Sequence, residues 1–287
     1  EAGNRFTSIG FFCIMDFCCM SLDGRAFFYC NTLETNPQLL VRERCTNERP
    51  RFHAIERAEI FKVSCCPANI TRLTASIADT LYTVGGGMIR CNQYMESESG
   101  FEFGGKPVKI TQKTDYPFDG KVTIGYSGAK VRFGLRIPSW CENYTLLKNG
   151  KPVAEVPVRG HVYVEVSDGD TLELSLDMPV RIIEADPRLW YNSEKYAVTR
   201  GPLVYCMEGV DNGENIYGIA VDSGSLKLGY DENLAVPVIL GSGSRSEAKG
   251  LYRPRSSRTR RVPVKLIPYY TFANRGATEM LVWLTVL

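Results

Sequence analysis

Histidine is scarce in this 287-residue sequence. Only His53 and His161 occur, which excludes a metal site built mainly on imidazole. The ten cysteines form no Cys-X-X-Cys pair, which disfavours a zinc ribbon or a small disulfide scaffold. Any transition-metal site must therefore use thiolates and carboxylates. Because the chain is long enough to bury a full core, we expect mostly free thiols, a reducing compartment and a cytoplasmic location.

Long apolar runs and an excess of charge are lacking too. The richest apolar stretch, residues 9–20, is interrupted by Asp16 and is shorter than the roughly 18 residues that cross a bilayer. It has neither the basic leader nor the cleavage site of a signal peptide. The formal net charge of +2 gives no reason to expect nucleic acid or a membrane as partner. In the basic segment 245–261, Ser, Gly and Pro favour a solvated loop over a binding patch.

The apolar pattern of the first 84 residues differs from that of the rest. In segment 69–82, apolar residues stand at positions 70, 73, 77, 78 and 81. This spacing of about 3.6 residues predicts a helix, and Pro67 near its start is compatible with the first helical turn. Three glycines at 85–87 are expected to end that helix.

From Met88 onward the apolar period becomes two, which predicts β-strands. The first set of alternating stretches is 108–112, 121–126, 131–137, 162–166 and 171–176, and the second is 196–199, 203–207, 226–228, 262–267 and 280–284. The Gly/Ser-rich segment 241–246 is expected to interrupt the second set. Short strands at this spacing predict antiparallel sandwiches. We therefore expect a mainly β chain with a helical part at 1–84 and two β-sandwich domains at 85–185 and 186–287.

Cys65-Cys66-Pro67 at the entrance of the predicted helix is the sharpest local feature. Thiolates are stabilised there by unpaired backbone N–H groups and by the helix dipole. Both cysteines could bind one zinc ion, or one could bind while the other reacts. The residues alone leave a third interpretation open, a pair of inert buried cysteines.

Four segments share a further pattern: M-S-L-D-G-R-A-F-F-Y-C-N-T-L-E at 20–34, S-C-C-P-A-N-I-T-R-L at 64–73, R-G-P-L-V-Y at 200–205 and I-P-Y-Y-T-F-A-N-R-G at 267–276. In the same order, they resemble the MSLDGxxFFYxNPLE, CCPPN, RGPLVY and IPYYxWANRG motifs of glycoside hydrolase family 127, the β-L-arabinofuranosidase-like enzymes. The similarity covers nearly everything from Met20 to the end.

This resemblance implies a retaining, exo-acting hydrolase that releases terminal β-L-arabinofuranose from an oligosaccharide or glycoconjugate. It also implies an (α/α)6 barrel catalytic domain followed by β-sandwiches. By the resemblance, Cys65 is the nucleophile and a zinc ligand, Cys66 binds the same Zn²⁺, and Tyr29 contacts the sugar. Without the resemblance, Tyr29 fits a core aromatic equally well. A homodimer is a possible assembly.

The sequence also departs from the family pattern. Two family zinc ligands lie in an E-T-C-A-S-I-G segment and the acid/base Glu lies further upstream, whereas residues 5–10 keep only S-I-G. Since these upstream parts of the family pattern are missing and the chain starts with Glu1, the resemblance implies that 1–84 is the truncated C-terminal part of the barrel. Tetrahedral zinc needs four ligands, and Cys65 and Cys66 supply only two. A missing general acid lowers the rate by about 10²–10⁴-fold. We therefore expect the chain alone to be inactive or nearly so.

The competing hypothesis is a non-catalytic β-sandwich module that binds carbohydrate or braces a partner. Sugar-binding sandwiches present exposed aromatic side chains. Trp140, Trp190 and Trp283 are available, but a core or domain-interface role is favoured for all three.

Overall fold

The structure, a computed structural model, describes residues 20–28, 32–38, 55, 57, 59, 65–247, 252 and 259–287. The chain divides into two compact units. The first unit comprises residues 1–10 and 71–179, and the second comprises residues 11–70 and 180–287. Among the described residues, no helix is long and apolar enough to cross a membrane.

The predicted helix is present but ends earlier than expected. Helix α1 spans Cys65–Ser76 and α2 spans Ala78–Leu81, whereas Tyr82–Gly85 is strand β2. Aromatic and β-branched residues at 82–84 favour an extended backbone. Gly86 and Gly87 have φ angles of 58° and 71°, which suit the two-residue turn between β2 and β3 (Met88–Cys91). The glycines therefore form a hairpin turn, and the prediction that they end the helix is wrong.

The first unit contains two sheets whose inner faces share one core. One has four strands: β2, β3, β7 (Val131–Arg136) and β10 (His161–Val166). The other has six: β4 (Ser97–Phe103), β5 (Lys106–Thr114), β6 (Lys121–Ser127), β8 (Tyr144–Lys148), β9 (Lys151–Pro152) and β11 (Thr171–Leu176). Alternate side chains such as Ile124, Phe133 and Leu172 are fully buried between them, because successive residues of a strand point to opposite faces. The predicted sandwich is confirmed, although β3 and β7 pair in parallel.

The second unit is built on one hydrogen-bonded sheet of ten described strands. They are β1 (Glu34–Thr35), β12 (Val180–Glu184), β13 (Tyr196–Arg200), β14 (Leu203–Glu208), β15 (Ile219–Val221), β16 (Lys227–Asp231), β17 (Val236–Ser246), β18 (Thr259–Pro268), β19 (Met280–Leu281) and β20 (Thr285–Val286). Helix α3 (Gly209–Asn212) follows β14, and short 3-10 helices lie at Trp190–Asn192, Ile216–Gly218, Ser223–Ser225 and Tyr269–Thr271.

The Gly/Ser-rich segment 241–246 does not interrupt this sheet, contrary to prediction. It is the second half of β17, which pairs with β18 from Ile239 to Ser246. A Cβ atom on Gly243 would lie 2.7 Å from the Ala220 carbonyl oxygen, and one on Gly241 would lie 2.8 Å from a Leu226 methyl carbon. Glycine within a strand is characteristic of such close approach. Gly241 and Gly243 therefore let the segments that contain Ala220 and Leu226 pack closely against β17.

The prediction of a mainly β chain with a small helical part is confirmed. Most of residues 1–64, where the barrel portion is expected, lie outside the described residues. The predicted domain limits at residues 84 and 185 stay predictions.

Candidate functional site

The backbone places the cysteine pair in the first turn of a helix, because α1 begins at Cys65. Four backbone N–H groups are unpaired within the first turn of any α-helix, and they favour an anion nearby. The side chains of Cys65 and Cys66 lie outside the described part of the structure, as does Tyr29. Their roles as nucleophile, zinc ligands and sugar contact therefore stay predictions.

The residue before Tyr29 is firmly packed. Phe28 is 3% exposed, and its ring stacks on that of Phe272, with centroids 5.0 Å apart and planes 3° from parallel. The Arg57 guanidinium carbon lies 4.9 Å from the centre of the Phe28 ring, within the range of a cation–π contact. Phe28 thus joins two parts of the sequence that are far apart.

Arg57 also binds the backbone that carries Phe272. Its Nε donates to the Phe272 carbonyl at 3.0 Å, and its Nη2 donates to the Tyr270 carbonyl at 2.9 Å and to the Phe272 carbonyl as well. A guanidinium presents its donors in a fixed plane, so it can hold two carbonyls at once. Arg57, which stands eight positions before Cys65 in the sequence, therefore contacts the same residue as Phe28 does, namely Phe272.

Further contacts join the M-S-L-D-G and I-P-Y-Y segments. The Leu22 amide donates to the Asn274 side-chain oxygen at 2.9 Å, and the Tyr269 hydroxyl donates to the Thr32 carbonyl at 2.6 Å. Strand β1 then pairs with β19, with Glu34 opposite Leu281. Two segments about 240 positions apart in sequence therefore form one structure.

An ion-pair network holds the end of β14 to the chain after β18. Arg275 Nη2 lies 2.6 Å from a Glu208 oxygen and 2.5 Å from an Asp211 oxygen. Lys265 Nζ lies 2.8 Å from the other Asp211 oxygen and also pairs with Asp231. The Glu208 side chain is fully buried, and its second oxygen accepts from the Ala273 amide at 2.7 Å.

The two carboxyls bound to Arg275 have pKa values shifted in opposite directions. Burial raises the pKa of Glu208, and its hydrogen bonds only partly offset this. Burial also acts to raise the pKa of Asp211, but hydrogen bonds from Arg275 and Lys265 outweigh it and lower that pKa. The two pKa shifts differ because the side chains differ in exposure: the Asp211 side chain is 10% exposed to solvent, and the Glu208 side chain is 0% exposed. With both oxygens bonded to protein, Glu208 has a structural role and no open face for a substrate.

The described residues do not by themselves make a zinc site. Nowhere in the described ranges do three or more His, Cys, Asp or Glu side chains cluster as metal ligands. Of the two histidines, His53 lies outside those ranges, and His161 is buried in β10 with its pKa lowered mainly by that burial. Cys65 and Cys66 supply suitable thiolate chemistry, but two ligands do not fill a tetrahedral ion.

Sequence reasoning missed Arg57, Glu208 and Arg275. Arg275 stands inside the A-N-R-G motif, so the motif itself was a usable signal. Arg57 lies in a polar stretch with no local pattern, and its partner Phe272 is 215 positions away. Its role could be found only from the tertiary structure.

The tryptophans divide between two environments. Trp140 and Trp283 are half-buried, whereas Trp190 is 67% exposed and Tyr191 is 74% exposed. The Trp190 and Tyr191 rings stack with centroids 3.6 Å apart. A core role for Trp190 is therefore wrong, while a domain-interface role stays a prediction.

Comparisons with known proteins agree on one family. Residues 88–178 match the family model described as Beta-L-arabinofuranosidase, GH127 middle domain, and residues 180–285 match that of the Glycoside hydrolase family 127 C-terminal domain. The chain is 35% identical over 291 residues to a non-reducing end beta-L-arabinofuranosidase of Bifidobacterium longum, covering 92% of this chain and 42% of that protein.

Solved structures give the same result. A GH127 beta-L-arabinofuranosidase from Geobacillus stearothermophilus superposes with a TM-score of 0.86 at 36% identity, covering 96% of this chain and 44% of that one. Another, described as a glycoside hydrolase, gives a TM-score of 0.83 at 30% identity, covering 95% of this chain and 46% of that one. The chain thus spans less than half the length of these relatives.

Proposed function

This chain belongs to glycoside hydrolase family 127, and on that premise we propose that its Cys65 is the nucleophile of a retaining hydrolase that releases terminal β-L-arabinofuranose. The observation that carries the proposal is the position of Cys65 at the first residue of α1, within a segment that resembles the family's CCPPN motif. The relatives' names support the choice of sugar, and Tyr29 is proposed to contact it.

The proposed reaction proceeds in two displacements. The Cys65 thiolate attacks the anomeric carbon; the C–S bond forms as the C–O bond to the aglycone breaks, and the leaving oxygen takes a proton from a general acid. Water then attacks the same carbon and gives its proton to the conjugate base of that acid, or to solvent where no acid is present, as the C–S bond breaks and the thiolate is restored. Two inversions give net retention.

A zinc ion, when bound, would supply the charge that keeps a thiol ionised at neutral pH. We propose Cys65 and Cys66 as two of its ligands. The displacement above is written for the Cys65 thiolate itself, and the described residues provide no complete set of zinc ligands. The start of a helix by itself lowers the pKa of a cysteine thiol.

We further propose that the 287-residue polypeptide, assayed by itself, reacts only with substrates that need no acid. Its sequence resembles the family around the Cys pair but not at the E-T-C segment or the acid/base Glu. Without proton transfer, an alkoxide leaving group costs about 10²–10⁴-fold in rate. A leaving group that departs readily as an anion avoids this loss.

The leaving group is therefore expected to decide reactivity. A 2,4-dinitrophenyl β-L-arabinofuranoside should release its phenolate with the chain, while the methyl glycoside should show no turnover above background. Phenolate release and free arabinose are measured in parallel. The same pair of substrates with Cys65→Ala is the control. Methyl glycoside hydrolysis that Cys65→Ala abolishes would show that a general acid is present after all.

A second candidate function, carbohydrate binding without catalysis, is favoured by one observation. Trp190 and Tyr191 form an exposed stacked pair on a short 3-10 helix, an arrangement that can stack on a sugar ring.

If this surface binds glycan, the chain should be retarded in a native gel that contains arabinan, and Trp190→Ala/Tyr191→Ala should remove the retardation. Tyr252→Ala is the matched control, because Tyr252 is 96% exposed. Equal mobility of wild type with and without arabinan would eliminate this candidate.

A further inference from the structure

A cleft opens in the first unit where the two arms of a hairpin separate. Val158 and His161 exchange backbone hydrogen bonds of 2.8 and 3.2 Å around a two-residue turn. Away from the turn the arms join different sheets: β10 runs beside β7, whereas the Val153 amide donates to the Leu146 carbonyl of β8 at 2.9 Å. The space between the arms, which we name the β10 cleft, measures about 320 Å³. The residues that line it include Arg132, Lys148, Val153, Glu155, Tyr163 and Glu165.

Every second residue of β10 turns its backbone groups away from β7. Residues of an antiparallel strand bond alternately to one side and to the other. The Gly160 carbonyl accepts from the amide of Ile137, which continues β7, at 2.8 Å, whereas His161 bonds on the opposite side. Residues 161, 163 and 165 therefore direct their backbone N–H and C=O groups toward the cleft side of the strand.

Of these three residues, Tyr163 has both backbone groups free. His161 is bonded to Val158, and the Glu165 carbonyl accepts from Lys148 Nζ at 2.6 Å. Among the described residues, nothing bonds to the outward Tyr163 N–H and C=O. An added β-strand needs successive alternate residues of the edge, so the bonded positions on both sides exclude one here. The groups that remain suit a small ligand that accepts from the N–H and donates to the C=O.

The Tyr163 side chain holds a guanidinium beside these groups. Its ring lies close over Gly134, where a Cβ atom would be 2.8 Å from a ring carbon, and its hydroxyl accepts from Arg90 Nε at 3.0 Å. The Arg132 guanidinium carbon lies 4.7 Å from the ring centre. The exposed side chains of Arg132 and Glu155 make no hydrogen bond or ion pair with any described residue. The cleft thus offers both donors and acceptors.

The charges that line the cleft balance. Arg132 and Lys148 are positive, Glu155 and Glu165 are negative, and Lys148 is already paired with Asp170 at 2.8 Å. An ion of either sign would therefore meet a like charge as well as an opposite one. Hydroxyl groups carry no charge, and each one both donates and accepts. Because small-molecule sites begin at about 300 Å³, the cleft suits a ligand of the size of one sugar unit.

We propose that the β10 cleft binds one neutral sugar unit of a glycan. Two vicinal hydroxyls accept from the Tyr163 N–H and donate to its C=O, while Arg132 and Glu155 bind further hydroxyls. With one unit in an open cleft, the expected Kd is about 1–10 mM. The proposal concerns binding alone and does not rest on the proposed function. Its residues also differ from the exposed pair Trp190 and Tyr191.

The test observes the Tyr163 amide directly. The chain is labelled with ¹⁵N in its 15 tyrosines only and titrated with methyl β-D-galactopyranoside, a neutral pyranoside. Tyr163→Phe and Tyr191→Phe identify the two signals of interest, because each substitution removes one labelled amide. We expect the Tyr163 amide to shift with saturation at a Kd of about 1–10 mM and the Tyr191 amide to stay unchanged.

Variants of two exposed side chains test the rest of the cleft. Arg132→Gln and Glu155→Gln should each weaken binding about threefold to tenfold, because a charge-assisted hydrogen bond is replaced by a neutral one. Glu98→Gln is the matched control: the Glu98 side chain is 65% exposed in β4 of the same unit and pairs with Lys109. It should leave the affinity unchanged. Galacturonic acid and galactosamine, which carry one charge each, should bind less tightly than the neutral glycoside.

A saturable shift of the Tyr163 amide that both cleft variants weaken, and that Glu98→Gln does not, supports the proposal. Absence of a saturable shift at Tyr163, or a shift at Tyr191 alone, overturns it. Affinity that is unchanged in both cleft variants, or reduced equally in Glu98→Gln, overturns it too. Tighter binding of galacturonic acid or galactosamine would show a site for ions and would contradict the neutral ligand.

Discussion

Replacing Cys65 with alanine is expected to abolish formation of a covalent pentosyl adduct on the chain, with a loss of at least about 10³-fold in its rate. The reason is that the proposed C–S bond has no other atom to form on. With 2,4-dinitrophenyl β-L-arabinofuranoside the first displacement needs no general acid, so the chain's reactivity then depends mainly on the thiolate. Intact mass of the protein after rapid quenching measures the adduct.

Two controls make this result specific. Cys66→Ala removes the neighbouring thiol and should slow the reaction while leaving an adduct, because Cys66 is a proposed zinc ligand and not the attacking atom. Cys91→Ala removes a fully buried thiol in β3, whose sulfur lies 3.3 Å from the Gln93 carbonyl, and should leave the rate unchanged. An adduct that persists in Cys65→Ala and disappears in Cys66→Ala would show that the nucleophile is Cys66 and not Cys65.

Arg275→Met is expected to lower the free energy of unfolding of the second unit by about 3 kcal/mol at neutral pH, because it leaves the buried Glu208 without its charged partner. Adding Glu208→Gln should recover a large part of that loss, since no unpaired charge then remains in the interior. Urea unfolding of wild type, both single variants and the double variant gives the cycle.

The pH dependence of this loss has a definite sign. Burial already raises the pKa of Glu208, and removing Arg275 raises it further. A carboxyl with a raised folded-state pKa contributes stability below its unfolded pKa, and this is lost as pH rises through the folded value. The lowered pKa of Asp211 acts in the same sense, because the stability that it gives wild type is lost as pH falls. The deficit of Arg275→Met should therefore shrink at acid pH. A deficit independent of pH, or a double variant as unstable as Arg275→Met, would contradict the buried-charge explanation.

Strands could be predicted from the sequence where every second residue faces the core. In β6, Val122, Ile124 and Tyr126 are buried while Lys121 and Thr123 are exposed, so alternation alone located the strand. In β17 the same rule failed, because Gly241 and Gly243 leave space for neighbouring chain and contribute no apolar signal. How closely the neighbouring chain approaches β17 depends on that neighbour, so the sequence of segment 241–246 alone does not predict it.

The candidate site was predictable only in its local part. The position of Cys65 at the start of a helix follows from apolar spacing and Pro67, and motif resemblance supplied the proposed chemistry. The packing of Phe28 depends on its contacts with Phe272 and Arg57, which are distant from it in sequence. Such contacts are determined by the sheet that brings β1 beside β19, and no local pattern encodes them.

The most direct test of the central claim is to find which residue carries the sugar. The chain is incubated with 2,4-dinitrophenyl β-L-arabinofuranoside, quenched in acid and digested, and the peptide that contains Cys65 and Cys66 is fragmented in a mass spectrometer. One pentosyl group on the Cys65 sulfur is the predicted result. A pentosyl group on a carboxylate, or no adduct on this peptide while phenolate is released, would contradict it.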